Sequence, residues 1–211
     1  MFRPGIIDDS QVRAAVGGLP EYSSSVAYTS TGSVAFPTHS VGDMLMSFCF
    51  HTGFGTIPGD IVDFTTMRTD DGGSNSTDMG VKVSAKTATG TELTVSATNS
   101  TWWVLVVIKN GTIANFESTV SKFTANTITI TPTYDSLLLY VAKTSNWVNN
   151  QCPEDFGGVG RLCEYSGSYA GNSTSHSSTV GTDVGTAGVD ALARATGISG
   201  NEKMLYTFAL W

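Results

Sequence analysis

The chain is short of charge, of cysteine and of long apolar runs, and each shortage excludes a class of protein. Charged residues make up 14% of its 211 residues, against about 25% in an average globular protein. Its 11 basic residues are outnumbered by 18 acidic ones and form no cluster. Nucleic-acid binding requires such clusters, so we expect no nucleic-acid partner. No apolar segment approaches the roughly 18 residues of a membrane-spanning helix, and we expect no membrane insertion.

An export signal is also missing. Met1–Gly5 contains an arginine, a proline and a glycine where a signal peptide has its apolar core. We therefore expect the chain to be made in the cytoplasm and to leave it through lysis or an accessory route. Of three cysteines, Cys49 lies in an apolar run and is predicted to be buried, whereas Cys152 and Cys163 lie in a Gly-rich segment. Those two could pair, but without an export signal reduced thiols are favoured over a disulfide.

What the chain does contain is an apolar run within Thr101–Gly111 that predicts a central β-strand. β-branched and aromatic residues dominate it, and Asn110-Gly111 ends it with a turn signal. Its side chains are apolar on both faces of a strand, with Trp102, Val104, Val106 and Ile108 on one and Trp103, Leu105 and Val107 on the other. Such a strand must be covered on both sides, so the rest of the chain has to supply further layers.

Those layers are predicted to be further strands. Period-two alternation or doubly apolar composition marks strong candidates at Met44–Thr52, Met79–Thr87, Leu137–Lys143 and Met204–Trp211. Weaker candidates are Val26–Ser30, Ser33–Phe36, Ile61–Arg68, Leu93–Ala97, Ile113–Glu117, Thr127–Thr131, Arg161–Tyr165 and Ser177–Val184, and a helical turn is predicted over Asp190–Ala195. With 23 glycines to form turns, the sequence predicts an all-β antiparallel β-sandwich of jelly-roll type.

We predict two parts, a short N-terminal arm over residues 1–25 and a single β-sandwich domain over residues 26–211. The arm has too little apolar surface to form a core of its own. Within the sandwich, Val41–Met46 resembles Thr133–Leu139, each being an aspartate turn followed by an apolar strand. This similarity indicates either two Greek-key halves or merely two strands that are entered through similar turns.

Three segments together resemble β-sandwich modules of tailed-bacteriophage virion proteins. They are Gly42-Asp43-Met44-Leu45-Met46-Ser47-Phe48, Gly80-Val81-Lys82-Val83-Ser84-Ala85-Lys86-Thr87-Ala88-Thr89-Gly90 and Trp102-Trp103-Val104-Leu105-Val106-Val107-Ile108, all within residues 41–110. The resemblance implies a jelly-roll-like sandwich in the virion, used as a capsid decoration or as a fibre or tail component, with other virion proteins as partners. It implies no catalytic residues and no cofactor.

Three acidic pairs are candidates for catalysis, namely Asp8-Asp9, Asp70-Asp71 and Glu154-Asp155. A glycan hydrolase needs two carboxylates that face each other about 5 to 9 Å apart, whereas adjacent residues of a strand point to opposite faces. We therefore expect solvated acids and no enzyme, with a glycan hydrolase as the third and least favoured hypothesis. The loop from Asp70 to Asp78 has oxygen ligands between glycines, which makes Asp70, Asp71 and Asp78 weak Ca²⁺ candidates against a plain turn.

Aromatic side chains in the irregular segment 146–195 suggest the second hypothesis. Trp147, Phe156, Tyr165 and Tyr169 offer ring faces that can stack on the sugars of a host surface glycan. They are the basis for the alternative function, a carbohydrate- or host-receptor-binding β-sandwich module. Packing of the four rings as anchors on the body or on a neighbouring subunit is the favoured interpretation.

The doubly apolar strands also predict assembly. A two-layer sandwich buries only the inner face of each sheet, so outer residues such as Leu205, Ala209 and Trp211 need cover from long loops or from a second subunit. We expect a homo-oligomer with closed symmetry, a trimer first and a dimer second. The leading hypothesis is thus a non-enzymatic virion structural protein that acts through protein–protein contacts.

Overall fold

The structure is a computed structural model that describes residues 18–52, 56–71, 79–122, 127–145, 159–166, 176–194 and 202–211. Every regular element in these ranges is a β-strand, which confirms the all-β prediction. The strands are β1 (Glu21–Thr29), β2 (Val34–Ala35), β3 (Met44–Thr52), β4 (Thr65–Asp70), β5 (Met79–Thr87), β6 (Thr94–Val95), β7 (Trp102–Lys109), β8 (Phe116–Lys122), β9 (Thr127–Ile130), β10 (Ser136–Ser145), β11 (Val159–Ser166), β12 (His176–Gly185), β13 (Ala191–Arg194) and β14 (Glu202–Leu210). Among the same residues, no helix is long and apolar enough to cross a membrane.

The strands form two five-stranded sheets, each accompanied by a two-stranded sheet, and the paired strands are antiparallel. Sheet I has the order β1-β7-β3-β5-β4 and sheet II the order β8-β14-β10-β12-β11. The small sheets are β2-β6 and β9-β13. The predicted strands Met44–Thr52, Met79–Thr87 and Trp102–Lys109 have the predicted bounds, and they lie side by side as β3, β5 and β7.

The second half of the chain repeats the first. In each half the first strand pairs with the seventh, the second with the sixth, and the third with both the fifth and the seventh, so that β1–β7 correspond in order to β8–β14. The similar segments Val41–Met46 and Thr133–Leu139 lead into corresponding strands, β3 and β10, which confirms an internal repeat. In the described residues each half has seven strands, five in one sheet and two in the other, whereas a jelly roll has eight. The antiparallel sandwich is confirmed, and the jelly-roll type stays a prediction.

Sheets I and II pack face to face with corresponding strands running the same way. β4 lies opposite β8, since Arg68 Nη1 donates to Ser118 Oγ (3.4 Å) and, where both strands end, Lys122 Nζ lies 3.7 Å from Asp70 Oδ1. At the other edge β1 contacts β11. The first strand of each half therefore faces the fourth strand of the other. A two-fold axis parallel to the strands produces this arrangement.

Most of the hydrophobic core lies between these two sheets. Phe48 of β3 packs edge-on against Tyr206 and Phe208 of β14, with ring centroids 6.0 and 5.5 Å apart. The buried residues that form this core are Met44, Met46, Phe48, Phe50, Met79, Val81, Val83, Ala85, Trp102, Val104, Val106, Ile108, Leu139, Val141, Val180, Met204, Tyr206, Phe208 and Leu210. Because both halves contribute, neither sheet has a solvated inner face.

One buried charge lies in this core. Lys143 of β10 is fully buried, and its Nζ lies 4.6 Å from the centre of the Trp102 ring, within the range of a cation–π interaction. The strand registers make Lys143 the counterpart of Phe50 in the first half. An aromatic ring from one half thus contacts the ammonium group from the other.

The outer face of each large sheet is covered by the small sheet of the same half. On sheet I, the strand pair β2-β6 and its flanking residues Val34, Phe36, Val95 and Ala97 cover Leu45, Cys49, Trp103, Leu105 and Val107. On sheet II, the pair β9-β13 with Ile128, Ile130 and Ala193 covers Leu138, Tyr140, Ala142, Leu205 and Ala209. The molecule thus has four layers. The predicted burial of Cys49 is confirmed, and burial raises the pKa of its thiol.

This cover removes one argument for assembly. Leu205 and Ala209 are fully buried by the chain's own strands, whereas Trp211 is partly exposed. The outer faces therefore do not require a second subunit, contrary to the expectation from the sequence. The homo-oligomer stays a prediction, and it has to use a different surface.

Two local predictions are wrong, and one strand begins earlier than predicted. β1 begins at Glu21 rather than Val26, because the backbone of the polar stretch 21–25 pairs with β7 through a bulge; the division into arm and sandwich domain stays a prediction. Ala191–Arg194 forms β13 rather than a helical turn, because it pairs with β9. The alternation of Leu93, Val95 and Ala97 predicts that all three point inward, but Leu93 is 78% exposed, because β6 is only two residues long and the alternation does not extend to it.

Two strands begin later than predicted. β4 begins at Thr65 because a turn occupies residues 62–63, where Asp63 has a φ of 63°. β8 begins at Phe116, after a turn at residues 113–114. The apolar residues Ile61 and Ile113 pack on the cores from these turns, and in the sequence they resemble the first residues of a strand.

The buried position of Trp103 gives a first prediction. Its side chain is fully buried under the β2-β6 sheet, and its Nε1 donates to the Ser30 carbonyl at 3.2 Å. Trp103→Ala should lower the free energy of unfolding by about 3 to 5 kcal/mol, through lost transfer energy and the remaining cavity. The urea midpoint measures this loss. Leu93→Ala is the matched control at an exposed position and should stay within about 0.5 kcal/mol; equal effects of the two changes would contradict the assignment.

Candidate binding surface at one end of the sandwich

Asp70, predicted to be a solvated acid, is buried in an ion cluster. It is 8% exposed, and its carboxylate accepts hydrogen bonds from Arg68 Nε at 2.6 Å and Nη2 at 3.1 Å. Lys122 Nζ lies 3.7 Å away. The prediction is wrong because Asp70 is the last residue of edge strand β4, which faces β8 and its lysine. Asp71 is solvated as predicted, with 72% of its side chain exposed.

This cluster connects the two large sheets. Lys122 Nζ also donates to the Asp71 carbonyl at 2.6 Å, which ties β8 to the end of β4. Burial raises the pKa of the Tyr206 hydroxyl in the neighbouring core, and the Asp70 charge raises it further. An arginine and a lysine next to one carboxylate make this a structural clamp rather than a cation site. Within the part of the chain that the structure describes, no group of three His, Cys, Asp or Glu side chains is placed to hold a metal.

Several predicted site residues lie outside the described residues. They are the acids Asp8, Asp9, Asp78, Glu154 and Asp155, the aromatic residues Trp147, Phe156 and Tyr169, and Cys152. Tyr165 and Cys163 lie on β11, of which the structure describes the backbone path. The calcium, glycan-stacking and disulfide hypotheses that rest on these residues stay predictions.

A second buried acid organises the turn between β5 and β6. Glu92 is 9% exposed, and its carboxylate accepts hydrogen bonds from the backbone N–H groups of Thr89, Gly90 and Thr91 at 2.9 to 3.1 Å. Lys86 Nζ lies 3.0 Å from it. Burial alone would raise the pKa of Glu92, but the hydrogen bonds from Thr89 and Lys86 outweigh it and lower the pKa well below the usual value. Glu92 is thus held as an anion inside a loop.

An open cleft of about 400 Å³ lies beside this turn. It is lined by Ile61, Val62, Asp63, Phe64, Lys86, Thr91, Glu92, Leu93, Thr94, Val95 and Ser96. Two acids line it. Glu92 pairs with Lys86, whereas Asp63 is exposed and belongs to no ion pair among the described residues. The first half therefore presents apolar side chains here together with one acid outside any ion pair.

Both halves expose apolar side chains at one end of the molecule, here called the near end. It is the end at which β3 and β10 begin. Because β5, β7, β12 and β14 are antiparallel to these two strands, they end there. The exposed large hydrophobic residues there are Val41, Val62 and Leu93 from the first half and Tyr134, Val184 and Val189 from the second. Leu19, which precedes β1, and Leu192 of β13 are exposed as well. Most of the large apolar groups that the described residues leave in water therefore lie at the near end.

An aromatic pair distinguishes the second half. The rings of Tyr134 and Trp211 lie 5.0 Å apart and are tilted by 35°, and Tyr134 is 41% exposed. The Trp211 N–H donates to the Asn115 carbonyl at 3.3 Å, which fixes the last residue of the sequence. The loop that carries the exposed Val189 is tied to the Tyr134 loop by a hydrogen bond from Gly188 N–H. We call Tyr134, Val189 and Trp211 the aromatic patch.

Three carboxylates belong to the loop that carries Tyr134 or are hydrogen-bonded to it. Glu117 accepts from the Thr133 N–H at 3.1 Å, and Asp135 accepts from the Ala187 N–H at 2.9 Å. Asp190 accepts from the Thr131 hydroxyl. Neutral donors hold all three, and none of them belongs to an ion pair within the described ranges. We call these three carboxylates the negative rim; the first-half cleft has one such acid, Asp63, beside the paired Glu92.

The sequence analysis missed this surface. Tyr134 belongs to a segment that the internal repeat singles out, and Trp211 was expected on the outer face of the last strand. Their contact depends on the pairing of β14 with β8 and β10, which no local pattern reveals. The one available signal was the extra aromatic residue in the turn before the repeated strand.

No protein-family model, no curated protein and no solved structure matches the chain. The class of the protein is therefore defined by its own geometry. It is an antiparallel β-sandwich with an internal repeat and with an aromatic, acid-rimmed surface on one of the two halves.

The ion cluster gives a second prediction. Asp70→Ala leaves Arg68 and Lys122 without their shared carboxylate and should destabilise the fold by about 1 to 3 kcal/mol. Asp71→Ala is the matched control, since an exposed acid contributes at most about 0.5 kcal/mol. Urea unfolding of both variants measures the difference. If Asp70→Ala left the free energy of unfolding unchanged, the cluster would not connect the sheets.

Glu92 gives a prediction on pH. Because its folded-state pKa lies below the usual 4.5, its charged form stabilises the fold above that pH, and the contribution is lost as the pH falls further. The Glu92→Gln variant should therefore be less stable than the unchanged protein near neutral pH. On acidification it should lose less stability than the unchanged protein does. Thermal unfolding across the acid range measures both curves, and two parallel curves would contradict the role of Glu92.

Proposed function

We propose that the chain is a non-enzymatic structural protein of a tailed-bacteriophage virion, a capsid decoration or a fibre or tail component, which acts through protein–protein contacts. The observation that carries the proposal is the aromatic patch at the near end. In the described residues the four sheets cover one another's apolar faces, and Tyr134 adds an aromatic ring to the apolar groups that stay exposed at the near end. Exposed aromatic groups with a polar rim are typical of protein contact surfaces.

The fold gives the sequence resemblance a consistent location. The three segments that carry it become the turn into β3 together with that strand, β5 with its following turn, and β7. These are the three adjacent inner strands of sheet I. The resemblance therefore concerns one contiguous piece of the sandwich rather than scattered strands, and the proposal takes this piece as the part shared with virion modules.

The proposal includes a homo-oligomer, a trimer first and a dimer second, because most homo-oligomers have closed symmetry. Its contact would use the near end, because the outer faces are already covered. The site of action would be the virion, which the chain joins after synthesis in the host cytoplasm.

The alternative is a carbohydrate- or host-receptor-binding module. One observation favours it, namely the exposed ring of Tyr134 next to Trp211, since paired aromatic rings can stack on sugar. The three surrounding carboxylates could accept hydrogen bonds from sugar hydroxyls. A glycan array probed with the intact protein and with Trp211→Ala tests this alternative.

The proposed function is tested on particles. Phage particles purified from the culture that produces the protein should contain the chain as a stoichiometric component by mass spectrometry. A cryo-EM map of those particles should show a four-layer sandwich at a repeated position. Absence of the chain from purified particles, with the protein remaining in the cleared lysate, would overturn the proposal.

A further inference from the structure

We infer that the aromatic patch binds a basic polypeptide segment, with an arginine or lysine side chain lying over Tyr134 and Trp211 and pairing with the carboxylates of Glu117, Asp135 and Asp190. This inference rests on the proposed function and deepens it, because it names the chemistry of the contacting partner. The occupant is a protein segment rather than a nucleic acid, which the negative rim would repel, or a membrane surface.

The ring geometry suits a cation. Tyr134 and Trp211 are tilted by 35° at a centroid separation of 5.0 Å, so the two rings contact each other and each can act as a wall only through the face turned away from the other ring. Tryptophan and tyrosine faces attract lysine and, more often, arginine within about 6 Å of the ring centroid. A planar guanidinium can stack on one wall while its N–H groups point to the rim.

The rim is prepared for such a partner. Glu117, Asp135 and Asp190 are each oriented by a donor from the neighbouring loop, so little side-chain entropy is lost on pairing. No lysine or arginine occurs in residues 112–121, 127–137, 183–193 or 204–211, the described segments that build this corner. These segments offer the three carboxylates no cation of their own, so a basic partner would complement their charge, and arginine–carboxylate pairs are among the strongest such contacts.

The apolar part of the surface favours a polypeptide over a sugar. Val189 is 55% exposed in the loop that Gly188 N–H ties to Pro132, near Tyr134 in sequence, and an aliphatic side chain offers a sugar hydroxyl no hydrogen bond. It does fit the methylene stem of an arginine or lysine, which buries its carbon atoms while the charged head stays at the rim. The same surface therefore accommodates both parts of a basic side chain.

The first half provides an internal comparison. Its cleft at the near end also exposes apolar groups, Val62 and Leu93, but of its two acids Glu92 already pairs with Lys86, which leaves exposed Asp63 outside the ion pairs of the described residues. A basic partner thus gains at most one new ion pair there, against three in the second half. Binding should be tighter in the second half, although the two halves share one topology.

The experiment uses the full chain and fluorescently labelled peptides in which arginine alternates with glycine and leucine. Matched peptides carry lysine, glutamate or serine in place of arginine. Anisotropy should show the tightest binding for the arginine peptide, weaker binding for lysine and none for glutamate. Raising NaCl from about 0.05 to 0.5 M should lower the affinity for the arginine peptide at least tenfold, because the contact is between charges near solvent.

Three variants locate the site. The first variant is Trp211→Ala, and the second is the triple change Glu117→Gln, Asp135→Asn, Asp190→Asn. Each should lower the affinity for the arginine peptide at least tenfold, and the triple change should also reduce the dependence of this affinity on salt. Tyr134→Ser is the second ring variant, used if Trp211→Ala alters the melting temperature. Val62→Ser in the first half is the matched control and should leave the affinity unchanged.

Each outcome decides the inference. Unchanged affinity in the ring and rim variants would overturn it, as would equal binding of the serine peptide. Binding of a neutral oligosaccharide at this site with no arginine-peptide binding would overturn it in favour of a glycan. Self-association that Trp211→Ala abolishes, again without peptide binding, would overturn it in favour of a second copy. A chain present in particles that binds no basic peptide refutes this inference alone, whereas a chain absent from particles refutes the proposed function whatever the peptides do.

Discussion

Two middle strands of each five-stranded sheet, β3 and β7 in one and β10 and β14 in the other, are largely apolar on both faces, and the layering of the described strands follows from that constraint. Burial of both faces of a strand such as β7 stabilises the fold, and a face that stays in water does not contribute this hydrophobic free energy. The inner faces meet each other across the central core, and each outer face is covered by a two-stranded sheet from the same half. Four layers are the result. The small sheets β2-β6 and β9-β13 are therefore required by the composition of the strands they cover.

Much of this could be predicted from the sequence, because side-chain alternation and turn residues are local signals. β3, β5 and β7 combine strong patterns with clear turns, and their bounds were predicted correctly. The polar first residues of β1 and the Ala-rich β13 could not be predicted, since their strand conformation comes from pairing with β7 and β9. In these places tertiary pairing overrides local propensity.

The candidate site was harder to predict for the same physical reason. Arg68 and Asp70 are two residues apart on one strand face, so their pairing was available from the sequence. The approach of Lys122 was not, because it depends on how the sheets pack. Likewise Tyr134 and Trp211 meet only when the second half has closed. The two halves share a topology but differ in which acidic side chains form ion pairs. This difference concerns surface side chains, which do not determine the strand order.

The nested strand order has a consequence for how the chain folds. In each half the first strand pairs with the seventh, so the last step of closure joins residues that are far apart in sequence, and such high contact order slows folding. In the sheets described, no strand of one half pairs with a strand of the other, so the first half can complete its pairing while the second is still being synthesised. Until the second half docks, the apolar inner face of sheet I stays in water. That interval is when a newly made chain is most prone to aggregate, and rapid closure of the second half ends it.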